Sequence, residues 1–436
     1  MKESQYIPRS DLGWVDYSPR ERDRLKHILS ILSKPGTVDE LGIGVVRDTF
    51  SDALFPGITT IMTRAKYFLT VPYIIRDFIL YDHNKEENAS QYLRDRENDI
   101  MNVFAFKSIE KDKDDSLSKD EKARYVDGII GITIYKHNIQ NGSKKELVRK
   151  PSAIYWNGLR EFGIVQTDQS LNNFLKSLDA EKKNFQLYTK EIEFEDENPV
   201  NKLLKKNLPR TEKGWFDNVS IVLTSKEAEF LKNQIIDNTD GSLLNLLLKD
   251  DDLLNAFLKV SSLKEFHDFT KLEDSEVKKN LSTAIHFWEV LFGAHILYNI
   301  MYFKRYEASE KVRILREEDW NPWLKKMKRF DWNKLDTEYI WQLSEEGNHR
   351  IDKKTRNFIE SWITECKRLD LDLESMSKLI LSQEMYKKKA RRKLSGPKSP
   401  DNYVKPDGDG WIGFQNMGFR FSNVKTILRD IQDGLS

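Results

Sequence analysis

The sequence predicts a mainly α, multi-helical protein, and three observations lead to that prediction. The first is helix-start chemistry, since Thr224 is followed three residues later by Glu227, the pattern of a capping box. The second is the apolar run at 287–303 (FWEVLFGAHILYNIMYF), which is typical of a helix buried on all sides. The third is the stretch 356–369, where apolar residues recur at helical spacing on one face.

The other elements are predicted from turn residues and apolar spacing. Ser18 and Pro19 begin a helix that stops at the Lys-Pro-Gly sequence of 34–36. A Phe-Pro-Gly turn follows further along, after which Thr59 or Thr60 is expected to cap another helix. Two small β elements are predicted, near 128–135 (GIIGITIY) and near 215–223 (WFDNVSIVL).

Composition along the chain divides it into four predicted units. Residues 1–83 form an N-terminal helical unit, and 84–125 form a charged insert with few apolar anchors. Residues 126–195 are expected to form either a small α/β unit or a winged-helix-like unit, with the winged-helix-like subdomain near 128–165. Residues 214–436 form a C-terminal helical domain.

Charge and composition exclude several classes of protein. The 436 residues carry 71 basic and 70 acidic side chains, so contact with nucleic acid has to come from local patches. The single cysteine, Cys366, excludes an internal disulfide, and its place on the apolar face of a helix predicts that it lies in the core. Neither the apolar run at 287–303 nor the shorter one at 68–80 reaches the ~20 uninterrupted apolar residues of a membrane span. The start MKESQYIPRS has no apolar signal region. We therefore expect a cytoplasmic protein without membrane contact.

Catalytic and cofactor motifs are not found in the sequence. There is no GxxxxGK[ST] phosphate loop, no HExxH zinc motif and no GxSxG nucleophile turn. His295, inside the apolar run, is expected to be a hydrogen-bonded core residue. Asp127, a strand and Lys136 follow the order of a restriction-type nuclease, but Ile134 occupies the position of the second metal-binding carboxylate. We expect no cofactor and no metal, and no residue is assigned a catalytic role.

Three basic patches are better candidates, as contacts to phosphate. One lies on the polar side of the helix predicted after Thr60, and the second surrounds a helix beginning at Pro151, on which Trp156 and Asn157 are expected to face outward. The third is KKKARRK at 387–393, where six cations occur in seven residues at the end of a helix. The candidate nucleic-acid contacts are Arg64, Lys66, Arg149, Lys150, Arg160, Lys387, Lys388, Lys389, Arg391, Arg392 and Lys393.

Several longer stretches together resemble a family of uncharacterised bacterial proteins over nearly the full length of the chain. They include LGWVDYSPRERDR, DELGIGVVRDTFSDALFPGITTIMTRAKYFLTVPYI, RKPSAIYWNGLREFGI, LTSKEAEFLKNQI and FSNVKTILRDIQDGL. Members of this family resemble accessory genes of mobile and phage-defence regions, which often lie beside helicase or nuclease genes. The resemblance implies no catalytic residue, and the charged insert at 84–125 departs from the family's usual form.

Three functional hypotheses follow from these observations. The first is a non-enzymatic DNA-binding or adaptor subunit of a bacterial anti-phage defence complex, with DNA and helicase or nuclease subunits as partners. The second is a nuclease or other hydrolase whose site is assembled from distant acids. The third is a structural scaffold that binds only protein. Three or more carboxylates or histidines converging in one cleft would favour the hydrolase.

Overall fold

The structure is a computed structural model that describes residues 39–81, 87–147, 149–191, 199–212, 214–368, 372–396 and 410–436. The helix predicted to begin after Ser18 lies outside these residues. The helices of the first half are α1 (Gly44–Leu54), α2 (Tyr67–Tyr81), α3 (Ala89–Asp112), α4 (Lys119–Val126), α5 (Ile132–Asn141), α6 (Pro151–Glu161), α7 (Leu171–Glu191) and α8 (Pro199–Leu203).

The second half is helical as well, with short irregular turns between its helices. Its helices are α9 (Ser225–Asn238), α10 (Leu243–Lys249), α11 (Asp251–Lys259), α12 (Leu263–Phe269), α13 (Ser275–Arg305), α14 (Ser309–Ile314), α15 (Asn321–Met327), α16 (Thr337–Glu346), α17 (Lys353–Cys366), α18 (Leu373–Lys388) and α19 (Phe421–Leu435). A π-helical turn, Leu315–Trp320, joins α14 to α15. The prediction of a mainly α fold is confirmed.

The two predicted β elements are wrong, and no strand occurs in the described ranges, where a single isolated bridge joins Val165 to Leu204. Near 128–135 the chain turns at Gly131, whose φ of 88° no extended strand adopts, and then enters α5. The winged-helix-like interpretation of 128–165 therefore lacks its wing in the described part of that range. In 215–223 alternate side chains, at Val219, Ile221 and Leu223, are buried as in a strand, but no other described segment pairs with it.

Helix α13 is the centre of the C-terminal part of the core. With 31 residues it is longer than any other described helix. The helices that pack against it include α1, α12, α17 and α18. Phe287, Leu291 and Tyr298 are fully buried in it, so the predicted buried helix is confirmed. No described helix is both long enough and apolar enough to cross a membrane.

The last helix, α19, packs against α9 and bonds through Asp430 to Arg64 and Ala65 in the first half of the chain. Nearly all of the buried apolar side chains of the described residues, from Leu41 to Ile431, belong to one contiguous cluster. The capping box that starts α9 is also confirmed, since the Thr224 backbone N–H donates to Glu227 Oε2 at 2.8 Å and the Glu227 N–H donates to Thr224 Oγ1 at 3.4 Å. The division into four units remains a prediction.

Two predictions about single core residues can be compared with the structure. Cys366 is the last residue of α17 and is buried, as predicted. His295 is also buried, against the rings of Trp288 and Phe414. Its Nε2 has no hydrogen-bond partner among the described residues, so the expected hydrogen bond is absent at this ring nitrogen. Burial lowers the pKa of His295 to about 3, and Glu40 opposes that shift, so the imidazole is neutral at pH 7.

Candidate nucleic-acid interface

Arg64 and Lys66 are buried, at 3% and 4% exposed, and do not lie on a polar surface as the sequence interpretation placed them. That interpretation assumed a helix beginning near Thr60, but residues 58–66 are irregular and α2 begins only at Tyr67. The irregular backbone is satisfied by Tyr155, whose hydroxyl oxygen accepts from the N–H of Arg64 at 3.0 Å and whose O–H donates to the Arg64 carbonyl at 2.9 Å.

Each of these two cations is paired with a carboxylate from a distant helix. Arg64 donates from Nε and Nη2 to Asp430 on α19, at 2.9 and 2.8 Å, and Asp430 also accepts from the Ala65 N–H at 2.8 Å. Lys66 Nζ lies 2.6 Å from Glu227 on α9. Burial lowers the pKa of the Lys66 ammonium, and Glu227 opposes that shift. Each pair joins the irregular segment 58–66 to a helix inside the protein, so both cations are occupied by a buried carboxylate and do not face solvent.

The patch around α6 is partly used inside the protein too. Lys150 donates to Asn98 Oδ1 and lies near the buried Glu97. Arg160 Nε donates to the carbonyl of Thr167 at 3.1 Å. Trp156, expected to face outward, is 7% exposed and donates from Nε1 to the carbonyl of Gln169, because α7 covers that side of α6. Arg149, by contrast, is exposed.

The basic cluster at 387–393 divides between structural and exposed cations. Lys388 and Lys393 place their Nζ atoms 3.3 and 2.6 Å from the two carboxylate oxygens of Glu40, which is 1% exposed. Lys387 Nζ lies 2.6 Å from Oδ2 of Asp352, the residue that precedes α17. These contacts fasten the end of α18 to its neighbours. Lys389 and Arg391 are exposed, and Arg392 is half-buried.

A further group of cations lies between α13 on one side and α15 with the segment that follows it on the other. It is a groove of about 420 Å³, which we call the cationic groove. Its lining residues are His286, Glu289, Lys325, Lys326, Arg329, Phe330, Asp331 and Lys334. The sequence interpretation did not include any of these residues among its candidates.

The local sequence explains how these side chains come to point outward. Pro322 stands in the first turn of α15, and Trp323 anchors that helix by packing on Gly293 of α13, where an added Cβ would lie 2.1 Å from the indole ring. The Trp323 indole N–H donates to the carbonyl of Glu289 at 2.8 Å, and Met327 is buried one turn later. With Trp323 and Met327 facing inward, Lys325 and Lys326 lie on the outer side.

Charge in the groove is only partly balanced. Glu289, 11% exposed, lies 2.5 Å from Lys326 Nζ and 3.5 Å from Lys264 Nζ. Lys325, Arg329 and Lys334 are exposed and make no ion pair within the described residues. Lys334 comes well after α15 has ended, so attraction to the terminal carbonyls of that helix does not explain its position.

His286 lines the groove, and its surroundings favour the neutral imidazole. Burial lowers the pKa of its imidazole, Glu289 opposes the shift, and His267 and Lys334 add to it. The Ser282 hydroxyl lies 3.2 Å from His286 Nδ1. An anion entering the groove would therefore meet three free cations beside a neutral ring.

The signal for this groove was present in the sequence. Residues 325–334 read KKMKRFDWNK, which contains five cations and two aromatic residues in ten positions. The KKKARRK cluster has more cations per residue, and for that reason the sequence indicated it as a candidate site. Density alone does not show which cations already have a carboxylate partner, because Glu40 and Asp352 are distant in sequence.

A second concave site is acidic. Asp52, Glu161 and Glu276 line a pocket of about 400 Å³ between α1, α6, α13 and α16. Burial raises the pKa of Glu161, and the nearby Asp52 adds to that shift. Asp52 also accepts from Arg420 and lies 2.9 Å from His349 Nε2. Across the described residues, no three His, Cys, Asp or Glu side chains are placed to share a metal ion.

Comparison with known proteins places the chain in a family without assigning it an activity. A family model described as a family of unknown function, DUF6361, matches residues 9–105 and 128–396. The cationic groove lies inside the second matched range, and the interruption at 106–127 overlaps the charged insert predicted at 84–125. No curated protein and no solved structure matches the chain. The chain therefore belongs to the family of unknown function DUF6361.

Proposed function

We propose that this protein is a non-enzymatic nucleic-acid-binding subunit that grips the phosphate backbone of DNA at the cationic groove. The observation that carries the proposal is the set of three exposed cations, Lys325, Arg329 and Lys334, that line one concave surface without an ion-pair partner among the described residues. Lys and Arg side chains of this kind neutralise phosphates and release counterions, which drives binding without sequence preference.

The wider part of the proposal concerns the protein's setting. A cytoplasmic adaptor role in a bacterial anti-phage defence complex, beside helicase or nuclease subunits, rests on the sequence resemblance alone. A DNA-holding subunit without its own chemistry would deliver DNA to such partners. A protein-only scaffold remains the outcome if no nucleic acid binds.

The test is a salt series with two charge-matched variants. In one variant Lys325, Arg329 and Lys334 are replaced by Gln, and in the other Lys389, Arg391 and Arg392 are replaced by Gln. Each removes three positive charges, so a change in net charge affects both equally. Binding of fluorescently labelled DNA is measured by anisotropy between about 50 and 200 mM salt.

The groove variant is expected to reduce the slope of log K against log salt by about two to three units, since each phosphate contact contributes roughly 0.7 to 0.9. The matched variant is expected to keep the wild-type slope. The opposite result would move the interface to the end of α18. Absence of binding by the wild type at low salt would overturn the proposal.

The acidic pocket favours a second candidate function, a hydrolase. Three carboxylates line that one pocket, and the raised pKa of Glu161 suits a proton donor. The check is hydrolysis of labelled DNA by the wild type and by Glu161→Gln, with Glu374→Gln as an exposed control. Cleavage that is lost only in Glu161→Gln would favour the hydrolase, and no cleavage by the wild type would remove it.

A further inference from the structure

A row of aromatic rings runs beside the cations of the groove. The rings of His267 on α12 and His286 on α13 lie 5.9 Å apart, and those of His286 and Phe330 lie 5.8 Å apart. The Phe330 ring is 4.8 Å from that of Trp332, at 63°. Successive rings meet edge to face, so the row joins two helices and the segment after α15.

The outer end of this row is not core. Phe330 and Trp332 are each only partly buried, while His286 is 9% exposed. Phe330 and Trp332 lie in a segment that is held by local hydrogen bonds. The Phe330 N–H donates to the Met327 carbonyl at 3.2 Å, and Asp331 accepts from the Asn333 N–H at 3.2 Å. The two rings are therefore held in position and keep part of their surface accessible.

Aromatic rings beside cations distinguish one form of nucleic acid from the other. In a duplex the faces of the bases are covered by their neighbours, so exposed rings find only the sugar-phosphate surface. In a single strand the bases are free to stack on protein rings while the phosphates follow the cations. The groove, at about 420 Å³, has the size of a small-ligand pocket and suits an unpaired strand.

We propose that the cationic groove binds single-stranded nucleic acid, with phosphates on Lys325, Arg329 and Lys334 and a base stacked on Phe330. Trp332 supports the Phe330 ring from the side. This inference rests on the proposed function and adds the strand form that the groove selects.

The experiment separates stacking from charge through one position. Phe330→Leu keeps an apolar side chain of similar size but removes the aromatic face. Phe330→Trp keeps an aromatic face and makes it larger. Neither variant changes the net charge. Anisotropy is measured with labelled oligothymidylate and with a labelled blunt duplex, and urea unfolding confirms that each variant is folded.

We expect the wild type to bind oligothymidylate more tightly than the duplex. Phe330→Leu should weaken oligothymidylate binding by roughly 5- to 150-fold, the contribution of one base–aromatic stack, and should leave duplex binding and both salt slopes unchanged. Phe330→Trp, which keeps an aromatic ring, should bind oligothymidylate about as tightly as the wild type. Weaker binding in the Leu variant together with retained binding in the Trp variant distinguishes stacking from a general loss of packing.

The failures of this inference and of the proposed function differ. If the groove binds oligothymidylate and duplex equally, or if Phe330→Leu weakens both or neither, stacking is overturned while phosphate binding stands. If neither probe binds at low salt, the proposed function fails first. A variant that weakens single-strand binding only by changing the salt slope would also overturn the stacking role.

Discussion

Replacing Asp430 by Asn tests the placement of Arg64 in the core. The change keeps the size of the side chain and one carbonyl oxygen for the Ala65 N–H, but removes the charge that faces the guanidinium. The two side chains are 4% and 9% exposed and lie 2.8 Å apart. Arg64 remains charged at any pH at which the protein folds, so the substitution leaves a buried cation without its counter-charge.

The expected loss is about 3 to 5 kcal/mol in the free energy of unfolding, the usual cost of breaking a buried pair from one side. The matched control is Glu374→Gln, since Glu374 lies 2.7 Å from Lys378 but the two side chains are 79% and 71% exposed. That change should cost under ~1 kcal/mol. The Arg64–Asp430 and Lys378–Glu374 pairs have similar distances, but the first is buried and the second exposed, so comparing the two variants isolates the effect of burial.

Urea unfolding followed by tryptophan fluorescence measures both variants, with the slope against urea compared to show that the same surface is exposed. The double variant Arg64→Met with Asp430→Asn should recover part of the loss, because no charge is then left buried. A cost for Asp430→Asn no larger than that for Glu374→Gln would refute the reasoning. Arg64 would then be solvated, as the sequence interpretation supposed.

Two further predictions concern buried titratable groups. Burial raises the pKa of Glu97 to about 7, with partial opposition from Ser152 and Lys150, so the folded protein binds this proton more tightly than the unfolded chain and stability should fall as the pH rises from about 4.5 to 7. Glu97→Gln should remove that part of the fall, measured as urea midpoints at about pH 5 and pH 8, and an unchanged pH dependence would contradict it. Cys366 is 4% exposed and burial raises the pKa of its thiol, so a thiol reagent should label it only after denaturant is added; rapid labelling of the native protein would show that the thiol is accessible.

Helical elements were predictable from the sequence where the local signal agreed with the final packing. The capping box at Thr224, the buried helix at 287–303 and the inward face of Cys366 depend on residues within one or two turns of each other. The element near 128–135 was not predictable in this way. Its β-branched residues favour a strand, but the chain turns at Gly131 and no other described segment forms a strand beside it. The backbone after Gly131 is therefore hydrogen-bonded within α5.

The candidate site shows the same division. The sequence by itself determined which segments carry a surplus of cations and aromatic rings, including KKMKRFDWNK. Only the tertiary structure decided which of those cations are free. Asp430 and Glu227 pair with Arg64 and Lys66 across 366 and 161 positions of the chain. A buried ammonium or guanidinium group requires a carboxylate beside it. Tertiary packing decides which carboxylate that is, and no local sequence pattern indicates it, because the two partners are far apart in the chain.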